Sequence, residues 1–284
     1  MGLSIWTCDQ MILVLDSKLR FEPKRVVSIV SASRSGSTVF KYALCLHPEL
    51  CSLAGEEEPY YKLACNGYPW HLSDEFHTCN NPDTVRLLIS NEMNNYWSSH
   101  NRRLLQQYKV EEPPYIEPII CKPTDTLVLK TPQNCYRKGV IEQLYPEAEV
   151  IYIRVVRDKR AIVNGLLDGW LSNEFTARCT ELGWWKFDMP PNWTFDVDIV
   201  GRSINQCLQS YKFMNRDYGM TLPIRYEDFT ADWLELCRFV WDYLRLSSYT
   251  PLVDNLPQLG CTEPPNNDRW KVKRPWLMEL TCLN

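Results

Sequence analysis

The chain has 284 residues, 45% of them hydrophobic, enough to bury a core of ordinary density in one large α/β domain or two small ones. Lys and Arg number 31 against 35 Asp and Glu, a formal net charge of −4, which excludes a global basic field for nucleic acid; an anion site must draw its positive charge locally. The 12 Cys stand singly, with no CxxC pair, which argues against zinc or redox-motif spacing and for small core hydrophobes in a reducing compartment.

The first apolar run, Met11 to Leu15, lies between Asp9 and Asp16 and is too short for a secretion signal or a membrane span, so the expectation is a soluble, cytoplasmic chain with no membrane partner. Arg25 to Val30 predicts a strand, and Val39, Ala43 and Leu46 behind it share a helical face that stops at His47-Pro48. Val85, Leu88, Ile89, Met93 and Tyr96 outline a second helix. Thr126 to Leu129 and Glu149 to Ile153 predict two more strands, with Val140, Ile141 and Leu144 on a short helix between them. Ile162, Leu166 and Trp170 share the next helical face, Leu222 to Arg225 is a fourth strand, and Trp233, Leu236, Val240 and Leu244 form a last stripe. The strand runs do not alternate with polar residues, which suits strands covered on both faces. Strands followed by helices predict an α/β fold: a central parallel sheet flanked by helices.

Two stretches read as insertions on that scaffold, about 55–123, rich in Pro, Asn, His and acidic residues, and 173–200, which holds Trp184-Trp185 and Trp193. Such connections often cover the ligand end of an α/β sheet, and one domain over residues 1–284 with an aromatic lid is expected.

The segment from Val26 to Thr38 reads as strand, turn and helix start, ending Ser33-Arg34-Ser35-Gly36-Ser37-Thr38. A helix N-terminus offers unpaired N–H groups and the positive end of a dipole, so an anion can sit there. Gly36 allows close backbone approach, Ser37 and Thr38 bring hydroxyls, and the Arg34 fork suits a phosphate or sulfate edge. A Ser-rich turn with a plain helix cap is the bland alternative. A nucleotide-dependent kinase is another, but its Gly-x-x-x-x-Gly-Lys-Ser/Thr loop does not occur here.

Arg34 to Thr38 followed by His47-Pro48 resembles the donor loop of sulfotransferases that use 3′-phosphoadenosine 5′-phosphosulfate (PAPS). Three further segments in the same order are similar to that family: Leu129-Lys130-Thr131-Pro132-Gln133-Asn134, the strand Ile151 to Val156 ending in Arg157-Asp158, and Arg225-Tyr226-Glu227-Asp228. Asp268-Arg269-Trp270-Lys271 resembles the basic, aromatic segment that closes the donor site. The resemblance implies a P-loop-like sulfotransferase fold with PAPS as donor, 3′,5′-adenosine bisphosphate (PAP) as product, and no metal. It implies that Arg34, Ser35, Gly36, Ser37 and Thr38 cradle the 5′-phosphosulfate and that Arg157 binds the 3′-phosphate. Arg269, Trp270 and Lys271 would add charge or stacking at the nucleotide.

Two departures stand out. Lys159 follows Arg157-Asp158 where the family has Pro, and the Ser expected eight residues after the Arg is Gly165, with Asn164 beside it as a substitute donor. A relative that binds nucleotide without turnover therefore stays among the alternatives.

Sulfuryl transfer asks the protein to align two reactants, neutralise the leaving phosphate and remove the acceptor proton. Pro132 fills the slot where some family members carry a basic His. Other members use a Glu after the His-Pro pair, which points here to Glu56, Glu57 or Glu58 as base, with Lys130 steadying charge on the bridging oxygen. Crowded carboxylates also raise one another's pKa. The acidic run and the aromatic insertions suit a small-molecule acceptor, including a cationic natural product, on a monomer or homodimer; the histidines His71, His77 and His100 are read as surface or core groups.

Overall fold

The computed structural model describes residues 21–53, 55–57, 60–61, 82–93, 123–171, 198–251 and 266–284. Five parallel strands form one sheet in the order β2-β3-β1-β4-β5: β1 (Arg25–Ser31), β2 (Leu50–Ser52), β3 (Thr126–Lys130), β4 (Glu149–Val156) and β5 (Leu222–Arg225). Helices α1 (Ser37–Leu44), α2 (82–93), α3 (Val140–Leu144), α4 (Lys159–Leu171), α5 (Ile199–Tyr218), α6 (Tyr226–Ala231), α7 (Trp233–Tyr243) and α8 (Arg269–Lys273) accompany it. The chain first runs from β1 to β2 and β3 on one side, then crosses to β4 and β5 on the other. The C-terminal end of β1 is therefore the switch point of the sheet, where ligands of open α/β folds bind.

Alternate residues of β1 serve opposite faces, as the two-residue strand period requires. Val27 and Ile29 join Val128, Ile153 and Val155 in a core closed by Phe40 of α1, Phe229 of α6 and Trp241 of α7. Val26, Leu127 and Leu129 face Val140, Ile141 and Leu144 of α3 and Val85, Ile89 and Met93 of α2. Val30 belongs to a third cluster with Ile162 and Leu166 of α4 and Cys207, Met214 and Tyr218 of α5. Along β1 and β3 both faces are buried, which explains their unbroken apolar runs, while β4 and β5 stay partly exposed.

The four strands expected from the sequence are present, and each of the first three runs on by one to three residues. Four elements escaped the pattern: β2, α5 and the short helices α6 and α8. β2 has only three residues, too few to show a period. Helix α5 has 20 residues, but its buried positions include Ser203, Gln206, Cys207 and Ser210, so the inner stripe is small and polar rather than apolar. Ser203 and Ser210 return their hydroxyls to carbonyls one turn back, at 2.9 and 2.8 Å, and Ser210 also meets the Tyr136 hydroxyl at 2.6 Å. Most of both expected insertions, with Trp184, Trp185, Trp193 and the three histidines, lies outside the described residues.

Candidate active site

Beyond β1 the chain turns sharply at Arg34 and Gly36, both left-handed at φ 68° and 86°, before entering α1. Gly36 is required twice over. Its φ suits glycine, and a Cβ there would stand 2.0 Å from Cε2 of Tyr226. The start of α1 has no side-chain cap, so its first N–H groups point into the turn unclaimed by a local side chain. Ser31 and Ser37 share a hydrogen bond of 2.8 Å across the loop. Ser35 Oγ is buried without a hydrogen-bond partner among the described residues. Buried hydroxyls are nearly always satisfied, so this one fits a ligand oxygen.

Arg157 is the first residue past β4, and the β1–β4 register, Ser31 opposite Val155, brings it alongside the turn. Its Nη1 donates to Arg34 O at 3.2 Å, its guanidinium lies 4.4 Å over the Tyr226 ring, and its buried Nε has no hydrogen-bond partner among the described residues. Burial pulls its pKa down from the ordinary value, opposed by Tyr226 and Glu227. The backbone around it is fixed: Arg157 N donates to Tyr211 Oη at 2.9 Å, Tyr211 returns a bond to Arg157 O, and Asp158 N donates to Glu227 at 2.9 Å. Asp158 then accepts Arg160 N at 2.7 Å and opens α4. The segment Arg225 to Asp228 is thus a buttress. Tyr226 wedges between Gly36 and Arg157, and Glu227 holds the next peptide.

The acidic turn meets the end of β3. Glu56 pairs with Lys130 Nζ and accepts Thr131 Oγ1 at 3.4 Å. Glu57 is fully buried, accepting Lys130 N at 3.1 Å and Asn134 Nδ2 at 2.6 Å. Burial raises its pKa from 4.5 to about 7, against those hydrogen bonds. Lys130 is itself 3% exposed, so it is not a solvent-facing strand end. Glu58 lies outside the described residues. The parallel register, Ile29 opposite Lys130, sets this cluster beside the β1 turn.

An anion loop on β1, a basic group after β4 and a Lys–Glu cluster after β3 thus share one edge of the sheet. Residues 27–251 match the description "Sulfotransferase family". The chain belongs to the sulfotransferase family. Among curated protein sequences none is significantly similar to it. Solved structures similar to it include the sulfotransferase domain from the curacin biosynthetic pathway, 14% identical over 84% of this chain and 82% of that one, with a TM-score of 0.46. A sulfotransferase from Alicyclobacillus acidocaldarius is 14% identical over 92% and 94%, with a TM-score of 0.41. The sulfotransferase domain of the Synechococcus olefin synthase is 15% identical over 88% of each chain, with a TM-score of 0.41.

In this sulfotransferase the two departures near Arg157 have structural counterparts. A Cβ on Gly165 would stand 3.0 Å from Arg34 Cβ and 3.4 Å from Arg34 Nε, so the missing side chain leaves the room that Arg34 fills. Lys159 reaches Asn284 O, and Arg160 reaches Asn284 Oδ1 and, at 3.3 Å, Leu277 O, so the final segment docks on the first turn of α4. Asn164 is 5% exposed, and its side-chain oxygen receives Arg274 Nη1.

The basic segment is arranged differently from its reading in the sequence. Trp270 is 4% exposed and packs within the third apolar cluster, with Arg160 5.7 Å from its ring. Lys271 pairs with Asp268 at 2.7 Å on the surface. Arg269, Lys273 and Arg274 converge on Asp168 of α4, at 3.9, 2.7 and 2.8 Å. Arg274 is the residue brought beside Asn164 and Gly165. The sequence signal was a second basic pair four residues beyond the first, which the motif match did not reach.

Tyr211 and Lys41, which support this region, were passed over in the sequence, while Thr131 and Asn134 lay in the quoted segment without a role of their own. Lys41, on α1, is 1% exposed and donates to Leu53 O at 3.0 Å and Gly55 O at 2.7 Å. Among the described residues no cluster of three or more His, Cys, Asp or Glu could hold a metal, and no helix is long and apolar enough to cross a membrane.

Proposed function

We propose that this sulfotransferase moves a sulfuryl group from PAPS to a hydroxyl or amine of a small molecule, a cationic natural product being the class that an acidic, aromatic site suits best. The observation that carries the reading is the convergence of the β1 turn, Arg157 and the Lys130–Glu57 cluster at the ends of three adjacent parallel strands. The orphaned Ser35 Oγ and Arg157 Nε, with the uncapped start of α1, fit an anion rich in acceptor oxygens.

When bound, PAPS supplies the sulfuryl group and a bisphosphate leaving group. Arg34 and residues Ser35 to Thr38 hold the 5′ end, and Arg157 takes the 3′-phosphate with Arg274 close by. Lys130 neutralises charge as it builds on the bridging oxygen, a role for which burial strengthens its field. Glu57 removes the acceptor proton. It is the carboxylate whose pKa is brought near neutrality, where a general base works best, while Glu56 is neutralised by Lys130. Among the described residues Cys45, Cys51, Cys135, Cys207, Cys237 and Cys282 form no disulfide, which suits a reducing, cytoplasmic location.

Calorimetric titration tests the donor. PAP binds and ATP does not displace it, and Arg157→Ala weakens PAP far more than adenosine 5′-phosphosulfate. Binding of ATP in preference to PAP refutes the reading. Incubation of PAPS with small-molecule extracts, read as a sulfate mass increment, identifies the acceptor.

A further inference from the structure

Lys41 is a buried ammonium that none of the steps above uses. Lysine is almost never fully buried unless its charge is compensated, because desolvation of an ammonium is costly. A Leu or Met at this helix position would pack without that cost. The ammonium instead donates to Leu53 O and Gly55 O, the carbonyls that lead from β2 into the Glu56-Glu57 turn. Its helix is the one whose N-terminus meets the anion loop, so one side chain ties the donor end of the site to the acid-base end. The charged and titratable groups around it come from every neighbouring element: Lys130 from β3, Glu56 and Glu57 from the turn, Cys45 from the end of its own helix, and the Tyr42 ring at 4.8 Å. Around Glu57 itself stand Glu56, Lys41, the Lys130 and Asn134 donors, and the buried Tyr145.

We propose that Lys41 is a positioning residue of the transfer reaction: it pins the Glu56-Glu57 turn to the donor-loop helix and holds Glu57 in its ionised, proton-accepting form. This rests on the reading of Glu57 as the base. Burial and the repulsion of Lys130 lower the pKa of Lys41 to about 8, so its positive charge is present at neutral pH, where Glu57 titrates. Removing that charge leaves the Glu57 carboxylate facing Glu56 with less compensation, and its proton affinity rises.

The test reads Glu57 directly, without turnover. Carboxyl 13C signals of the glutamate-labelled protein are titrated from pH 5 to 9, the Glu57 signal being the one lost in Glu57→Gln. The midpoint moves up by about one pH unit or more in Lys41→Met and Lys41→Gln, the scale of losing one nearby opposite charge. PAP affinity stays within about threefold of the unmodified protein, since the anion loop is untouched; a threefold change is about 0.65 kcal/mol. A folded Lys41→Gln protein whose Glu57 midpoint is unmoved overturns the proposal and leaves Lys41 a structural tie. If neither variant folds, the 15Nζ signal of Lys41 in the unmodified protein decides. It shifts at the Glu57 midpoint if the two are coupled, and is flat there if they are not. Failure of the unmodified protein to bind PAP refutes the donor reading alone, so the two failures are distinguishable.

Discussion

Gly36→Ala strains both the backbone and the packing at the β1 turn, and the structure supplies its own control. The added Cβ would meet three atoms of the Tyr226 ring at 2.0, 2.5 and 2.6 Å, at a residue with φ 86°. The left-handed conformation alone costs about 1–2 kcal/mol for a residue with a Cβ. Displacing a buried ring adds about 1–3 kcal/mol, the usual cost of overpacking. Gly139 has φ 95° but nothing within 4 Å of an added Cβ, so Gly139→Ala carries the backbone cost alone. Urea unfolding with matched m-values should therefore place Gly36→Ala about 1–3 kcal/mol below Gly139→Ala. Because Tyr226 lies under Arg157 at 4.4 Å, Gly36→Ala also weakens PAP binding while Gly139→Ala leaves it intact. Two variants of equal stability refute the argument that Tyr226 needs a glycine beside it.

Glu57 makes stability depend on pH with a definite sign. Its pKa is raised from 4.5 to about 7 on folding, so the native state binds the extra proton between those values. Stability is then full below about pH 4.5 and falls as pH rises to 7, by on the order of 3 kcal/mol relative to Glu57→Gln; parallel profiles for the two proteins exclude the shift. Gly165→Ser pushes Arg34 aside and weakens PAP by about three- to tenfold, about 0.7–1.4 kcal/mol, whereas tighter binding in calorimetry means that the Ser restores a phosphate contact and that Arg34 does not fill that role. Asp168 is raised by burial, but the hydrogen bonds of Lys273 and Arg274 outweigh that and hold its pKa low, so its contribution is present at neutral pH and lost as pH falls through the lowered pKa. Asp168→Asn costs about 1–3 kcal/mol at pH 7 and raises hydrogen exchange over residues 269–284; unchanged exchange there shows that the ion cluster does not secure the segment.

Much of the fold could be read in the chain because its information was local. Buried parallel strands need unbroken β-branched runs, and the helices α1, α4 and α7 carry apolar stripes at helical spacing. The turn after β1 was legible for the same reason, since Gly36 and its neighbouring hydroxyls are consecutive. Helix α5 was hidden because its inner face includes Ser, Gln and Cys, with the serines bonded to carbonyls one turn back, and no hydropathy pattern marks that. The acidic run named a turn but did not tell its carboxylates apart. Glu56 and Glu57 are adjacent in the sequence and identical in chemistry, and only burial separates one paired with Lys130 from one pushed toward neutrality.

The chain by itself therefore determined that β1 would end in a glycine-bearing turn leading into a helix, because that requirement is written in six consecutive residues. Tertiary structure decided everything that depends on distant segments meeting. Tyr226 reaches Gly36 from 190 positions away, Arg34 fills the space above Gly165, and Lys41 grips the turn that carries Glu57. Those contacts are set by strand register and helix docking, which bring together side chains that no spacing in the sequence connects.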